Sequence, residues 1–176
     1  EPYRRQRQMC IRDRFWDVQE GTVNIGGVDV CDMDYGEWMK RVSIVFQDTS
    51  LFKMSILENV ATFCPDATRE EILRALHLAQ CDDILEKLPD GVDTVIGTKG
   101  IYLSGGEMQR IALARAILKD APVILLDEAT AFADAENEYL IQKALDELLR
   151  GKTVLMIAHR LSTICLLYTS DAADDK

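Results

Sequence analysis

Three short apolar segments, each followed by polar residues, constrain the fold of this chain more than any other feature. A continuous apolar run of four to six residues is typical of a strand in a parallel sheet that is covered on both faces. Helix-forming segments lie between the runs, which predicts an α/β fold. Ligands bind at the carboxyl edge of such sheets, so we expect the polar residues to share a site there. The runs are Val42–Phe46, Val123–Leu126 and Thr153–Ala158, and they are followed by Gln47, by Asp127 and Glu128, and by His159.

Local signals predict the elements around these strands. The stretch Thr22–Val30 alternates apolar and polar residues around Gly26-Gly27, which predicts a hairpin. Thr68 is followed three residues later by Glu71, the pattern of a capping box at a helix start. Apolar periodicity predicts helices over Thr68–Leu78, Met108–Leu118 and Glu136–Leu149.

Charge and cysteine content exclude several classes of protein. The 176 residues carry 20 Lys and Arg against 30 Asp and Glu, for a net charge of −10. This acidic balance disfavours a protein that binds the nucleic-acid backbone. The five cysteines show no C-x-x-C spacing, so neither a disulfide framework nor a zinc site is predicted, and we expect a reducing compartment.

Two segments carry residue types that suit phosphate chemistry. In an apolar strand ending in two carboxylates, as at Asp127-Glu128, the first acid can orient Mg²⁺ and the second can position an attacking water. The sequence LSGGE at 103–107 precedes a predicted helix, where Ser104 is a good cap. Its two glycines would let a phosphate approach the N–H groups at the positive end of that helix. Each segment alone occurs often by chance, but their order and spacing together are specific.

These segments resemble the nucleotide-binding domain of ABC transporters, especially those of exporter type. The resemblance runs from about Phe15 to Ile164. One motif departs from the family pattern: the D-loop at 131–134 usually reads Ser-Ala-Leu-Asp, and here only its last residue, Asp134, matches. Five stretches carry the resemblance: VFQD at 45–48 is similar to the Q-loop, LSGGE at 103–107 to the signature motif, VILLDE at 123–128 to Walker B, AFAD at 131–134 to the D-loop, and AHRLSTI at 158–164 to the switch-histidine segment.

The resemblance implies a P-loop NTPase (RecA-like) core, built on a parallel sheet, with an inserted helical subdomain at about 51–118. The family's phosphate loop, G-x-x-x-x-G-K-[ST], does not occur in these 176 residues. In the family it lies upstream of the stretch similar to RFWDVQEG at 14–21. We therefore expect the domain to be incomplete at both ends, and the 176 residues alone to be inactive.

The family's site residues can be transferred to matching positions, which implies ATP and Mg²⁺ as cofactors and ATP hydrolysis by the full-length parent. The implied catalytic residues are Glu128, His159 and Gln47. The implied Mg²⁺ ligands are Asp127 and Gln47. The implied ATP-binding residues are Leu103, Ser104, Gly105, Gly106, Glu107 and Asp134.

The resemblance also implies partners and a location. These are a second nucleotide-binding domain and a transmembrane domain, at the cytoplasmic face of a bacterial plasma membrane, with no nucleic acid. The segment 48–60 would face the membrane domain. The same sequence would also fit an ordinary surface loop that leads into a helix. Two other functions remain open: a soluble ABC-family ATPase of DNA repair or translation, and a non-catalytic fragment without its phosphate loop.

The two ends of the chain share an unexpected relationship at the level of coding DNA. Residues 4–14 can be encoded by a string whose reverse complement encodes residues 165–174. The string resembles a transposon adaptor used to build sequencing libraries. We therefore expect residues 1–14 and 165–176 to be non-native tails that flank a partial domain at 15–164.

Overall fold

A computed structural model describes residues 20–46, 49–97, 101–127 and 135–157 of the chain. The chain divides into two compact units, residues 1–41 and residues 42–176. The predicted tails, 1–14 and 165–176, lie outside the described residues. They and the proposed domain boundaries therefore stay predictions.

The first unit contains the predicted hairpin and one short helix. Strands β1 (Asn24–Ile25) and β2 (Val28–Asp29) pair antiparallel. Gly26 and Gly27 join them with φ values of +59° and +82°, a left-handed conformation that favours glycine. Helix α1 (Tyr35–Arg41) follows, and its seven residues were too few to stand out in the sequence.

The second unit contains the remaining elements in alternating order. The three helices that the apolar periodicity predicts are present, and each of their ends lies within three residues of the predicted one. In chain order the elements are β3 (Val42–Val45), α2 (Ile56–Ala61), α3 (Arg69–Leu78), α4 (Asp82–Lys87), a 3-10 turn (Gly91–Asp93), α5 (Gly105–Lys119), β4 (Val123–Asp127), α6 (Ala135–Leu149) and β5 (Thr153–Ile157).

The three predicted strands form one parallel sheet in the order β3-β4-β5, which confirms the α/β class. Val42, Val123 and Thr153 share one row, so the strands start level with one another. Val45 pairs with Leu126, and Asp127 pairs with Ile157. All three strands therefore end at the same edge of the sheet.

Helix α5 lies at the centre of this unit. It packs against β3, α2, α3 and α6. Its Ile111 and Leu113 are fully buried in one apolar cluster with Ile124 and Leu126 of β4. The helix begins at Gly105, three residues before the predicted start, because Ser104 caps it there. The position of LSGGE is thus tied to the core of the unit.

Candidate functional site

The segment 103–107 forms the capped N-terminus of α5, as the sequence predicted. The Ser104 backbone N–H donates to Glu107 Oε2 (2.8 Å), and the Glu107 N–H donates to Ser104 Oγ (3.2 Å). The first N–H groups of a helix have no acceptor within the helix. Leu103 is half-buried beside this turn, whereas Ser104 and Gly105 are exposed. The turn therefore places the exposed Gly105 at the positive end of a fifteen-residue helix, which suits an anionic ligand.

The two glycines of this turn differ in their surroundings. Gly105 is exposed, but Gly106 is buried. A Cβ at Gly106 would lie 2.8 Å from Cγ of Asn137 in α6. The sequence predicts one phosphate-binding role for both glycines, and that role stays a prediction for each of them.

Asp127 is the last residue of the central strand β4 and is half-buried. Its carboxylate lies at the carboxyl edge of the sheet, where the sequence predicted it. A carboxylate is a ligand type that Mg²⁺ prefers, so the residue fits the predicted metal role. Among the residues that the structure describes, no group of three or more His, Cys, Asp or Glu side chains could by itself hold a metal ion.

Four predicted site residues lie outside the described residues: Gln47, Glu128, Asp134 and His159. Two of them follow described strands closely in the sequence. Gln47 follows β3 by two residues and His159 follows β5 by two residues. The described ends of β3 and β5 lie level with the end of β4, and the positions of Gln47 and His159 stay predictions.

A buried arginine supports the N-terminal half of α5. Arg110 is 1% exposed, and its guanidinium pairs with the Asp83 carboxylate at 2.6 and 3.0 Å. It also donates to the backbone carbonyl of Gln80. Burial raises the pKa of Asp83, but the hydrogen bonds and charge of Arg110, helped by Lys87, outweigh it and hold that pKa below its usual value. Arg110 thus anchors the loop between α3 and α4 to α5.

A second network ties the segment after Gln47 to the same helix. Asn59 is fully buried, and its Nδ2 donates to the carbonyls of Phe52 (3.0 Å) and Ser55 (3.0 Å). Arg115 of α5 donates to the Asn59 carbonyl (2.7 Å), to its Oδ1 (2.6 Å) and to the Ser50 carbonyl (3.1 Å). The segment 50–59 is therefore held to α5 by specific hydrogen bonds. Sequence reasoning missed both networks, although a polar residue within an apolar helix face is a usable signal for such contacts.

None of the helices described in the structure is both long and apolar enough to cross a membrane.

Comparison with known proteins agrees with this arrangement. A family model described as ABC transporter matches residues 9–131. The chain is 46% identical over 151 residues to an ATP-dependent lipid A-core flippase of Legionella pneumophila (strain Paris), which covers 86% of this chain and 26% of that protein. It is 50% identical over 151 residues to the mycobactin import ATP-binding/permease protein IrtA of Mycolicibacterium thermoresistibile, covering 86% of this chain and 16% of that protein.

A third relative is ABC transporter B family member 4 of Dictyostelium discoideum, 45% identical over 155 residues, 88% of this chain and 20% of that protein. The chain spans about a quarter or less of the length of these curated relatives. The family match covers more than half of the chain, and the parallel sheet agrees with the P-loop NTPase fold. The chain belongs to the ABC transporter family, as a nucleotide-binding domain of the exporter type.

Proposed function

We propose that this domain binds ATP with Mg²⁺ and hydrolyses it within a membrane transporter, and that hydrolysis drives transport, with export as the direction. The observation that carries the proposal is the exposed, capped turn at Ser104-Gly105 in a member of this family. Such a turn offers N–H donors and a helix dipole to a phosphate.

The remaining catalytic roles belong to residues at or just after the carboxyl ends of the three strands. Asp127 would hold Mg²⁺, whose charge offsets that of the phosphates, with Gln47 as a second ligand. Glu128 would accept a proton from the attacking water, and His159 would hold the γ-phosphate. Catalysis of this kind depends on positioning and charge stabilisation.

Two of these domains would act together in a head-to-tail pair. Ser104, Gly105 and Gly106 would then contact the γ-phosphate of an ATP held mainly by the partner domain. Leu103 and Glu107 would shape that turn, and Asp134 would reach across the interface. The lengths of the relatives support a longer protein around this domain.

The segment 48–60 is our candidate for the contact with a transmembrane domain, at the cytoplasmic face of a bacterial plasma membrane. Phe52 is 52% exposed there, while its backbone is hydrogen-bonded to Asn59. An exposed aromatic side chain on an anchored backbone suits a docking surface.

The full-length protein tests the proposal directly. Wild-type protein in lipid nanodiscs is expected to release phosphate from ATP in the presence of Mg²⁺, and to stop when excess EDTA removes the cation. Phosphate release with and without EDTA is the measurement. Full-length protein that releases no phosphate with Mg²⁺ would refute the proposed function.

Replacing Ser104 by Ala should separate its capping role from its proposed role at the phosphate. Loss of the cap is expected to lower the free energy of unfolding by about 1 kcal/mol. Thr68→Ala is the matched control, because Thr68 caps α3 through the same type of box with Glu71. Urea unfolding of the domain should show similar losses for both variants. In the full-length protein, only Ser104→Ala should slow ATP hydrolysis, and equal slowing by both variants would contradict the phosphate role.

A further inference from the structure

We propose that Gly106 lacks a side chain because Asn137 of α6 fills that space, and that this contact makes Asn137 a positioning residue. It would set the first turn of α6 against the capped turn 103–107 at the start of α5, here called the signature turn. The packing argument stands on the structure alone. Its consequence for ATP turnover rests on the proposed function.

The space beside Gly106 is occupied by the side chain of Asn137. A Cβ placed there would lie 2.8 Å from Cγ of Asn137, 2.9 Å from its Cβ and 3.0 Å from its Oδ1. Carbon atoms in favourable contact lie about 3.5–4.0 Å apart, so the two carbon–carbon distances are too short. The backbone fixes the direction of a Cβ, so a methyl group at Gly106 would have to point at Asn137. The fold itself therefore requires glycine at this position.

Arg110 holds the other side of Asn137 through a hydrogen bond. It lies one helical turn after Gly106, so both residues face α6 from the same side of α5. Its Nη2 donates to Asn137 Oδ1 at 3.3 Å. Asp83 fixes the guanidinium through two further hydrogen bonds. Asn137 thus packs against Gly106 on one side and is hydrogen-bonded on the other to Arg110, which Asp83 holds in place.

Asn137 lies in the first turn of α6. It is the third residue of α6 and follows Asp134 by three residues. Fixing Asn137 against α5 therefore fixes the first turn of α6 beside the signature turn. The proposed function assigns the signature turn to the ATP interface. A shift of α6 along α5 would therefore disturb the position of that turn.

A double-mutant cycle in the full-length protein tests the proposal. Gly106→Ala is expected to lower the melting temperature and to slow ATP hydrolysis at least tenfold. Adding Asn137→Ala removes the blocking atoms, so the double variant should recover to within about threefold of Asn137→Ala alone, as coupled neighbours do. Asn137→Ala alone should lower kcat while KM for ATP changes by less than about twofold, because the residue positions and does not bind.

Gly105→Ala is the matched control, since Gly105 is the exposed glycine of the same turn. Asn137→Ala should not rescue it. A Gly106→Ala/Asn137→Ala protein no better than Gly106→Ala in both melting temperature and turnover would overturn the proposal. Recovery of melting temperature without recovery of turnover would overturn the positioning role, and the proposed contact of Gly106 with the γ-phosphate would then account for the lost turnover.

Two further outcomes remain decisive. If Gly106→Ala yields no folded protein, recovery of folded protein by the double variant supports the packing contact, and failure to recover it refutes the contact. If the wild-type protein hydrolyses no ATP, the proposed function and the positioning role fail together. The melting temperatures of the four proteins then decide the packing contact by themselves.

Discussion

Replacing Glu128 by Gln in the full-length protein is expected to reduce ATP hydrolysis by at least about 100-fold, the scale on which a general base contributes. Glutamine keeps the size of the side chain but cannot accept a proton from the attacking water. Phosphate release measures the loss. ATP binding should survive, so radiolabelled ATP should remain with the paired domains after gel filtration.

Glu138→Gln is the control for this change. Glu138 is an exposed carboxylate on α6, so neutralising it should leave turnover within about twofold of wild type, as for most surface substitutions. Retention of more than half of the wild-type turnover by Glu128→Gln would remove Glu128 from the role of base. Loss of bound ATP in that variant would contradict the expectation that the paired domains retain ATP when hydrolysis is blocked.

Replacing Arg110 by Met is expected to lower the free energy of unfolding by about 3 kcal/mol, as when one partner of a buried ion pair is removed. Methionine fills most of the space but donates no hydrogen bond. The Gln80 carbonyl would lose a donor, and the Asp83 carboxylate would keep only Lys87, at 3.4 Å, as a counter-charge. Asp83 is 41% exposed, so water can replace part of that interaction, which keeps the expected loss at the lower end of the range for such pairs.

Urea unfolding of the domain, followed by circular dichroism, measures this loss. Arg150→Met is the control, because Arg150 pairs with Glu147 at the surface with 75% of its side chain exposed. Such pairs contribute about 0–1 kcal/mol, so the control should change little. Equal losses in the two variants would show that the Arg110 pair is not a support of α5.

Much of the secondary structure could be predicted because its signals are local. Thr68 and Glu71 lie three residues apart, and they form the capping box that begins α3. The apolar run before Asp127 became the central strand, with the aspartate at its carboxyl end. Short helices such as α1 and α4 escaped prediction, because six or seven residues carry too few turns to show a period.

The candidate site was predictable as a set of motifs and less so as an arrangement. LSGGE became a capped helix start that is exposed at Ser104 and Gly105. The roles of Gln47, Glu128, Asp134 and His159 stay predictions, since these residues lie outside the described ones. The different surroundings of Gly105 and Gly106 could not be predicted, because a sequence of two glycines does not show what packs against each.

The sequence by itself determined the α/β class, the strand ends and the family, because apolar runs, caps and motif spacing act over a few neighbouring residues. Only the tertiary structure decided that Arg110 meets Asp83, 27 residues away, and that Arg115 meets Asn59, 56 residues away. It also decided that Asn137 excludes a side chain at Gly106. Such contacts depend on how helices far apart in the chain bury their faces together, and local pattern carries no information about which side chains then touch.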